Sequence, residues 1–499
     1  MSHGNDQTKV QVAKAPESDW KEDQCMDKDD LGLAALAGNV SNIDPDGPEA
    51  RRVLRKIDLH LLPLLCITYM IQFLDKSCVS YAALWGMEED AHLVGDQYSW
   101  LTTIFYIGYL VSEFPANILF QKFNIGRTCA VFIILWGVVL LSMTAANDFA
   151  GLVTARFFLG ALEAGVSPCF VLLTAMFYKK NEQPFRTAIW FSMNGLANIF
   201  GGLIGYGIGS INASIPAWKF PFVIFGSATI AWGFIFLWLA PANPMSVPWL
   251  TEDEKAIAVL RLAENETGID NRKFKAYQAK EALIDPNFWL LSLLTIANCI
   301  PNGGVSAFAP LIVNGFGFSR FESTLLNMPS GAAQIMVLWI SGYITMKWKG
   351  VRHFVMMGGM LVAILGAALI YALPDSQRVA RLMQALMQPT LSLIQANVAG
   401  RTKKTVFTAS LFICYCVGNL IGPQLFFQSE KPQYKSGFTS WIVCFVVQLV
   451  IIVALYVTNL RENRRRDRLA LETTARESDM AAMLSDKTDR ENLHFRYVL

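Results

Sequence analysis

The stretch KFPFVIFGSATIAWGFIFLWLAP, residues 219–241, decides how the whole chain is to be read. After Lys219 it carries no charge, and a helix of about 20 residues is long enough to cross the ~30 Å hydrocarbon core of a bilayer. Runs of the same kind fill residues 57–80, 98–120, 128–147, 151–178 and 186–211 before it. Six more follow, at 287–313, 324–346, 354–373, 379–399, 405–428 and 438–460. The runs are continuously apolar rather than alternating, which argues against barrel strands, and in lipid the backbone groups of a segment must pair within it. The expectation is an all-α integral membrane protein with twelve transmembrane helices, numbered here as spans 1 to 12.

Composition agrees. Of 499 residues 53% are hydrophobic and 16% charged, and the mean hydropathy is +0.35. A net charge of +2 gives no reason to expect nucleic acid as a partner. No His or Cys cluster has metal spacing and no Gly-x4-Gly-Lys-Ser/Thr phosphate loop occurs, so no metal, no cofactor, no ATP motor and no enzyme activity are expected. Eight of the nine cysteines lie within the spans and read as buried thiols.

The spans divide six and six, which sets the domain organisation. Residues 1–50 read as a disordered tail without a cleavable signal peptide. Residues 51–241 form an N-terminal six-helix bundle, 242–285 a linker, 286–460 a C-terminal six-helix bundle and 461–499 a second tail. In the linker, Trp249-Leu250-Thr251-Glu252-Asp253-Glu254-Lys255 reads as the start of a capped amphipathic helix. Basic residues flanking spans remain in the cytoplasm. On one side stand 26 of them, beginning with Arg51, Arg52, Arg55 and Lys56; the other has six, and its first loop carries Glu88, Glu89, Asp90 and Asp96 with no base. Both termini and both tails are therefore expected in the cytoplasm; a location in the plasma membrane and a monomeric state are expected as well.

The halves resemble each other. Spans 2 and 8 end in short basic turns, Gln121–Arg127 and Lys347–Arg352. Spans 4 and 10 each carry a proline, Pro168 and Pro389, and run into paired lysines. Spans 5 and 11 carry Asn194-Gly195 and Gly418-Asn419 among small residues. Repeats of this kind place a substrate near the midplane between the halves and let them rock around it, so the expectation is two pseudo-symmetric bundles.

Ionisable groups inside a span are costly and mark functional candidates. Five stand well inside: Asp75 and Lys76 in span 1, Glu113 in span 2, and Arg156 and Glu163 in span 4. Arg156 and Glu163 are two helical turns apart, on one face. A guanidinium keeps its charge and grips a carboxylate with parallel hydrogen bonds, while a carboxyl in a low-dielectric cavity can exchange a proton near neutrality. The expected partners are thus a small organic anion, held by Arg156 and Lys76, and a proton, carried by Glu163 or Asp75. Tyr106, Tyr109, Asn194, Asn302 and Asn397 are candidates to complete the substrate cavity, and Glu113 with Lys122 and Arg127 a candidate gate.

Several segments resemble the fungal anion:cation symporters of the major facilitator superfamily, in the branch of the allantoate permeases. They are Phe73-Leu74-Asp75-Lys76, Gln97-Tyr98-Ser99-Trp100, Glu113-Phe114-Pro115-Ala116-Asn117, Arg156-Phe157-Phe158-Leu159-Gly160 with Glu163 and Pro168, Ile300-Pro301-Asn302-Gly303-Gly304, Ala396-Asn397-Val398-Ala399-Gly400 and Gly418-Asn419-Leu420-Ile421-Gly422-Pro423. The resemblance implies the major facilitator fold and proton-driven import of a small organic anion such as allantoate, ureidosuccinate or a vitamin. It also implies roles in binding and coupling for Asp75, Lys76, Arg156 and Glu163. The chain departs from the pattern in having Lys76 where arginine is common, Gln121 where an acid usually precedes the base, and a tenth span about eight residues short. A proton-exchanging exporter of a fungal metabolite and a transport-defective sensor would share the fold. The Gly-Pro pattern of exporters is missing from span 5, which favours import.

Overall fold

A computed structural model describes residues 47–498 apart from 180, 212, 264–274, 316, 349, 373–400, 432–433, 473–487 and 493–494. Among the described residues there are helices and short 3₁₀ turns and no strand. Eleven of the twelve expected crossings are present. Span 10, with Pro389 and the candidate Asn397, lies outside the described residues.

Span 1 is the helix Pro48–Leu84, started by a proline at its first turn, where the missing N–H costs nothing. Spans 2 and 3 are Gln97–Lys122 and Ile125–Ser142, the latter capped by the Asn124 side chain, which accepts from the Arg127 N–H at 3.2 Å. Span 6 is Phe220–Leu239, span 7 Pro286–Gly315, span 9 Arg352–Ala372 and span 11 Arg401–Gln424. Span 12, Lys435–Glu472, runs twelve residues beyond the apolar stretch because its polar end continues as helix on the surface.

Three expected single helices are broken. Span 4 divides into Phe149–Glu163 and Val166–Phe177. Pro168 has no N–H for the carbonyl of residue 164, and its ring crowds that turn, so the interruption falls four residues before the proline. The Gln72 amide of span 1 donates to the Glu163 carbonyl at 3.3 Å beside the gap. Span 5 divides at Ser192 into Gln183–Phe191 and Met193–Gly209. Span 8 is the helix Met328–Lys347, preceded by a separate turn, Arg320–Leu325, with a capping box between Ser319 and Glu322.

The packing repeats between halves. Span 3 lies on span 6 and span 9 on span 12; span 1 lies on span 5 and span 7 on span 11. Across the halves span 1 meets span 7, span 2 meets span 11 and span 5 meets span 8. Exchanging 2 with 8 and 5 with 11 maps these contacts onto themselves, as a duplicated unit requires. Small residues make the close crossings: a methyl on Gly422 would strike the Ile300 carbonyl oxygen, and Gly195 and Gly331 meet backbone to backbone, each blocking a side chain on the other. The outer surface keeps Trp238 85% and Phe114 75% exposed, together with Trp289, Trp339 and Leu365. An apolar exterior of this extent is solvated by lipid.

From the middle of the protein to one face, bonds clasp the halves together. Tyr98 donates to the Ala307 carbonyl at 2.6 Å, Gln424 to Thr103 Oγ1 at 2.8 Å, and Lys431 pairs with Glu88 at 2.7 Å. Trp85 packs edge-on against Phe321, with centroids 5.2 Å apart. This is the far face; the linker and both ends of the described chain share the opposite, terminal face.

There the linker helix Glu252–Ala263 begins with the expected box, Thr251 and Glu254 exchanging backbone and side-chain bonds at 3.1 and 3.4 Å. It docks on the first half through Lys56–Glu254 at 2.6 Å and Arg261–Glu182 at 2.7 Å. The Lys56 ammonium holds the Glu254 carboxyl below the ordinary carboxylate range. The second linker helix, Ala276–Ile284, docks on the other half at Lys403, which lies 2.9 Å from Glu281, 2.7 Å from Asp285 and 2.7 Å from Asp489 of the tail. Lys403→Met leaves three acids without their shared cation, a loss of about 3 kcal/mol for a broken buried pair. The purified variant is expected to melt several degrees below the wild type, and an unchanged melting temperature would show the cluster to be energetically idle.

Candidate functional site

Two glycines bring span 4 against span 2. A methyl on Gly108 would strike the Phe157 carbonyl oxygen, and one on Gly160 the Phe105 carbonyl oxygen. The contact sets the Phe105 ring 5.5 Å from the Arg156 guanidinium, within cation–π range. Arg156 is 2% exposed. Its Nη2 donates to the Lys76 carbonyl at 3.4 Å, while Nε and Nη1 have no partner.

Lys76 projects into the same place from span 1. Its ammonium stands 4.5 Å from the Tyr106 ring centre and 5.7 Å from that of Phe105, and donates to the Tyr415 hydroxyl at 3.2 Å. Lys76, Arg156, Thr102, Phe105 and Tyr106 of the first half and Ser306 and Ala307 of the second line one small pocket. Among the described residues neither cation forms an ion pair with a carboxylate. Arg156 is buried and Lys76 half-buried; a buried cation without a directly paired carboxylate is expensive, and an incoming anion relieves that cost.

The candidate acids lie beside this pocket rather than in its wall. Asp75 is fully buried and turned to the back of span 1, where its Oδ2 accepts from Trp136 Nε1 at 2.7 Å and from Thr229 Oγ1 at 2.6 Å; Oδ1 has no partner. Glu163 is 1% exposed at the end of the first half of span 4, and its Oε1 is also without a partner. Both acids are therefore placed within the first half, beside the cations.

Of the other candidates, Tyr106 lines the pocket and Tyr109 borders it, tilted against Tyr415 with centroids 6.4 Å apart. Neither Asn194 nor Asn302 lines the pocket, and Asn302 donates to Asn419 Oδ1 at 2.9 Å within the second half. The gate residues are not joined: Glu113 is buried on span 2, Lys122 and Arg127 are exposed in the turn beyond it, and among the described residues no ion pair links them. The carboxylate of Glu113 stops some two turns short of the turn's bases.

The family follows from comparison with known proteins. The profile of the Major Facilitator Superfamily matches residues 65–423. The chain belongs to the Major Facilitator Superfamily. A transporter of uncharacterised substrate from Schizosaccharomyces pombe is 39% identical over 90% of this chain and 87% of its own. The allantoate permease of Saccharomyces cerevisiae is 36% identical over 93% of this chain and 89% of its own. Among solved structures, a bacterial homologue of the lysosomal transporter Spinster in an inward-facing state covers 82% of this chain and 97% of its own at a TM-score of 0.55 and 17% identity. The D-xylose–proton symporter covers 79% and 96% at 0.57 and 11%. These likenesses show the fold. This facilitator is a multi-pass membrane transporter and not an enzyme, in the branch that includes the allantoate permease.

Sequence reasoning missed Trp136, Thr229 and Tyr415. The first two are neutral donors in spans of unbroken apolar character, and only the buried charge of Asp75 signals that donors must converge on it. Trp136→Phe removes one bond to that carboxyl while keeping an aromatic ring. It is expected to destabilise the purified facilitator by about 1.5–3 kcal/mol, read as a lowered melting temperature, and Thr229→Val by a similar amount.

Proposed function

We propose that the chain is a proton-coupled symporter importing a small organic anion, of the class to which allantoate and ureidosuccinate belong. The observation that carries this reading is the pair of cations, buried Arg156 and half-buried Lys76, that face one pocket bounded by both halves without a direct ion pair among the described residues. In the proposed cycle the anion's carboxylate accepts from the Nη1 and Nη2 fork of Arg156, and Lys76 supplies a point charge beside it. The proton travels on Glu163, whose carboxyl lies on the same half-helix as Arg156, with Asp75 as the second carrier through its unpartnered Oδ1. Tyr106 and Tyr109 form the aromatic wall. Glu113, Lys122 and Arg127 act, if together, only after the halves move.

The similarity to the allantoate permease along nearly the whole chain supports the choice of an organic anion. Import is preferred to export because span 5 lacks the exporters' Gly-Pro pattern. The basic flanks of the spans support cytoplasmic termini, a pocket lined by both halves of one chain supports a monomer, and the plasma membrane is part of the same proposal.

Uptake of labelled allantoate and ureidosuccinate into cells expressing the full chain tests the reading. Symport predicts faster accumulation at external pH 5 than at pH 7.5, since the proton enters with the anion. Arg156→Lys, which loses the fork, is expected to lower uptake at least about tenfold. Glu163→Gln should abolish the response to pH while anion exchange persists. Unchanged accumulation in both variants would remove the site.

A further inference from the structure

Span 11 presents Tyr415 to Lys76 from the opposite half. Its hydroxyl lies 3.2 Å from Lys76 Nζ, and its ring packs edge-on against Tyr106 with centroids 6.2 Å apart. The residue is steadied from behind. Asn419, one turn further along, donates to the Tyr415 carbonyl at 2.8 Å and accepts from Asn302 of span 7 at 2.9 Å. An ammonium group has donors only, so the hydroxyl accepts from Lys76 and retains its own proton for another acceptor.

Lys76 therefore reaches the second half through a neutral oxygen where a negative one would bind it far better. A carboxylate arriving at the ammonium meets the tyrosine hydroxyl as a second donor, carried by a different bundle. We propose that Tyr415 is the anion-contacting residue of the second half and that it sets the preference for carboxylates, donating to the same anionic group that Lys76 holds. The inference rests on reading the Lys76–Arg156 pocket as the anion site. With the anion bound, span 1 and span 11 grip one group from two sides, and the substrate itself becomes the link between the halves. A carboxylate has two negative oxygens to serve both donors. The corresponding neutral amide has one weaker acceptor and brings its own N–H groups against Lys76, so it is disfavoured.

Tyr415→Phe tests this, because it keeps the ring packed on Tyr106 and removes only the hydroxyl. The purified full-length chain is titrated with allantoate, ureidosuccinate and nicotinate, each beside its neutral amide, with thermal stabilisation as the readout, and uptake kinetics are measured for the stabilising anion. Wild type is expected to be stabilised by at least one anion and not by its amide. Tyr415→Phe should bind that anion about tenfold or more weakly, the scale of a lost hydrogen bond to a charged group. It should discriminate less against the amide, raise KM by a similar factor and leave Vmax within about twofold. A tyrosine that only packs would shift the melting temperature or Vmax and leave KM and the discrimination untouched, which overturns the inference. If Arg156→Lys weakens binding and Tyr415→Phe does not, the anion site stands and the role of Tyr415 falls. Absence of stabilisation of wild type by all three anions overturns both.

Discussion

The rest of the structure depends on a guanidinium held in a low-dielectric interior with two of its three nitrogens unpartnered. In lipid or in a packed core such a group is tolerated only where the surroundings supply partial negative charge or await a full one. Here the partial charge comes from the Phe105 ring face and the Lys76 carbonyl. Both are in reach because Gly108 and Gly160 let spans 2 and 4 touch at the backbone. The glycine contact, the aromatic wall and the stranded cation form one arrangement, and removing any of them leaves the others without a purpose.

The same economy explains the interruption in span 4. A continuous helix would satisfy every carbonyl internally. The gap at Ala164 and Gly165 ends the first half-helix at Glu163 and frees backbone oxygens, one of which Gln72 serves. Irregular backbone at such depth is viable only when shielded by protein or facing a cavity, and spans 1, 2 and 4 provide the shield. Asp75 completes the frame from the rear, anchored to spans 3 and 6 by Trp136 and Thr229.

Much of this was legible in the sequence, for physical reasons that also mark its limits. Lipid excludes charge so strongly that Asp75, Lys76, Arg156 and Glu163 stand out from their spans, and the fold follows from the length and spacing of the apolar runs. Pro168 was read only as a mark of the repeat, and the break it causes falls one turn earlier, at the carbonyl it leaves unbonded. Tyr415 carried no signal, since a tyrosine in a span is ordinary until its partner on another helix is known. Asn194 and Asn302 were read as cavity residues on polarity, which does not distinguish a cavity wall from an interhelical bond such as the one Asn302 makes to Asn419. Glu113 and the bases beyond span 2 were close in sequence, yet Lys122 and Arg127 point to solvent from a turn that the buried carboxyl does not reach.

Gly195 and Gly331 touch through their backbones where span 5 crosses span 8. Ile335 of span 8 lies over Gly195 and Ile199 of span 5 over Gly331, so at that spot only a few side chains must slide across glycines when one bundle tilts against the other. The contact can serve as a bearing, a place where the bundles touch at their backbones. Friction against alternation should then arise at the clasp on the far face, where Tyr98, Thr103, Gln424 and the Glu88–Lys431 pair must let go one after another.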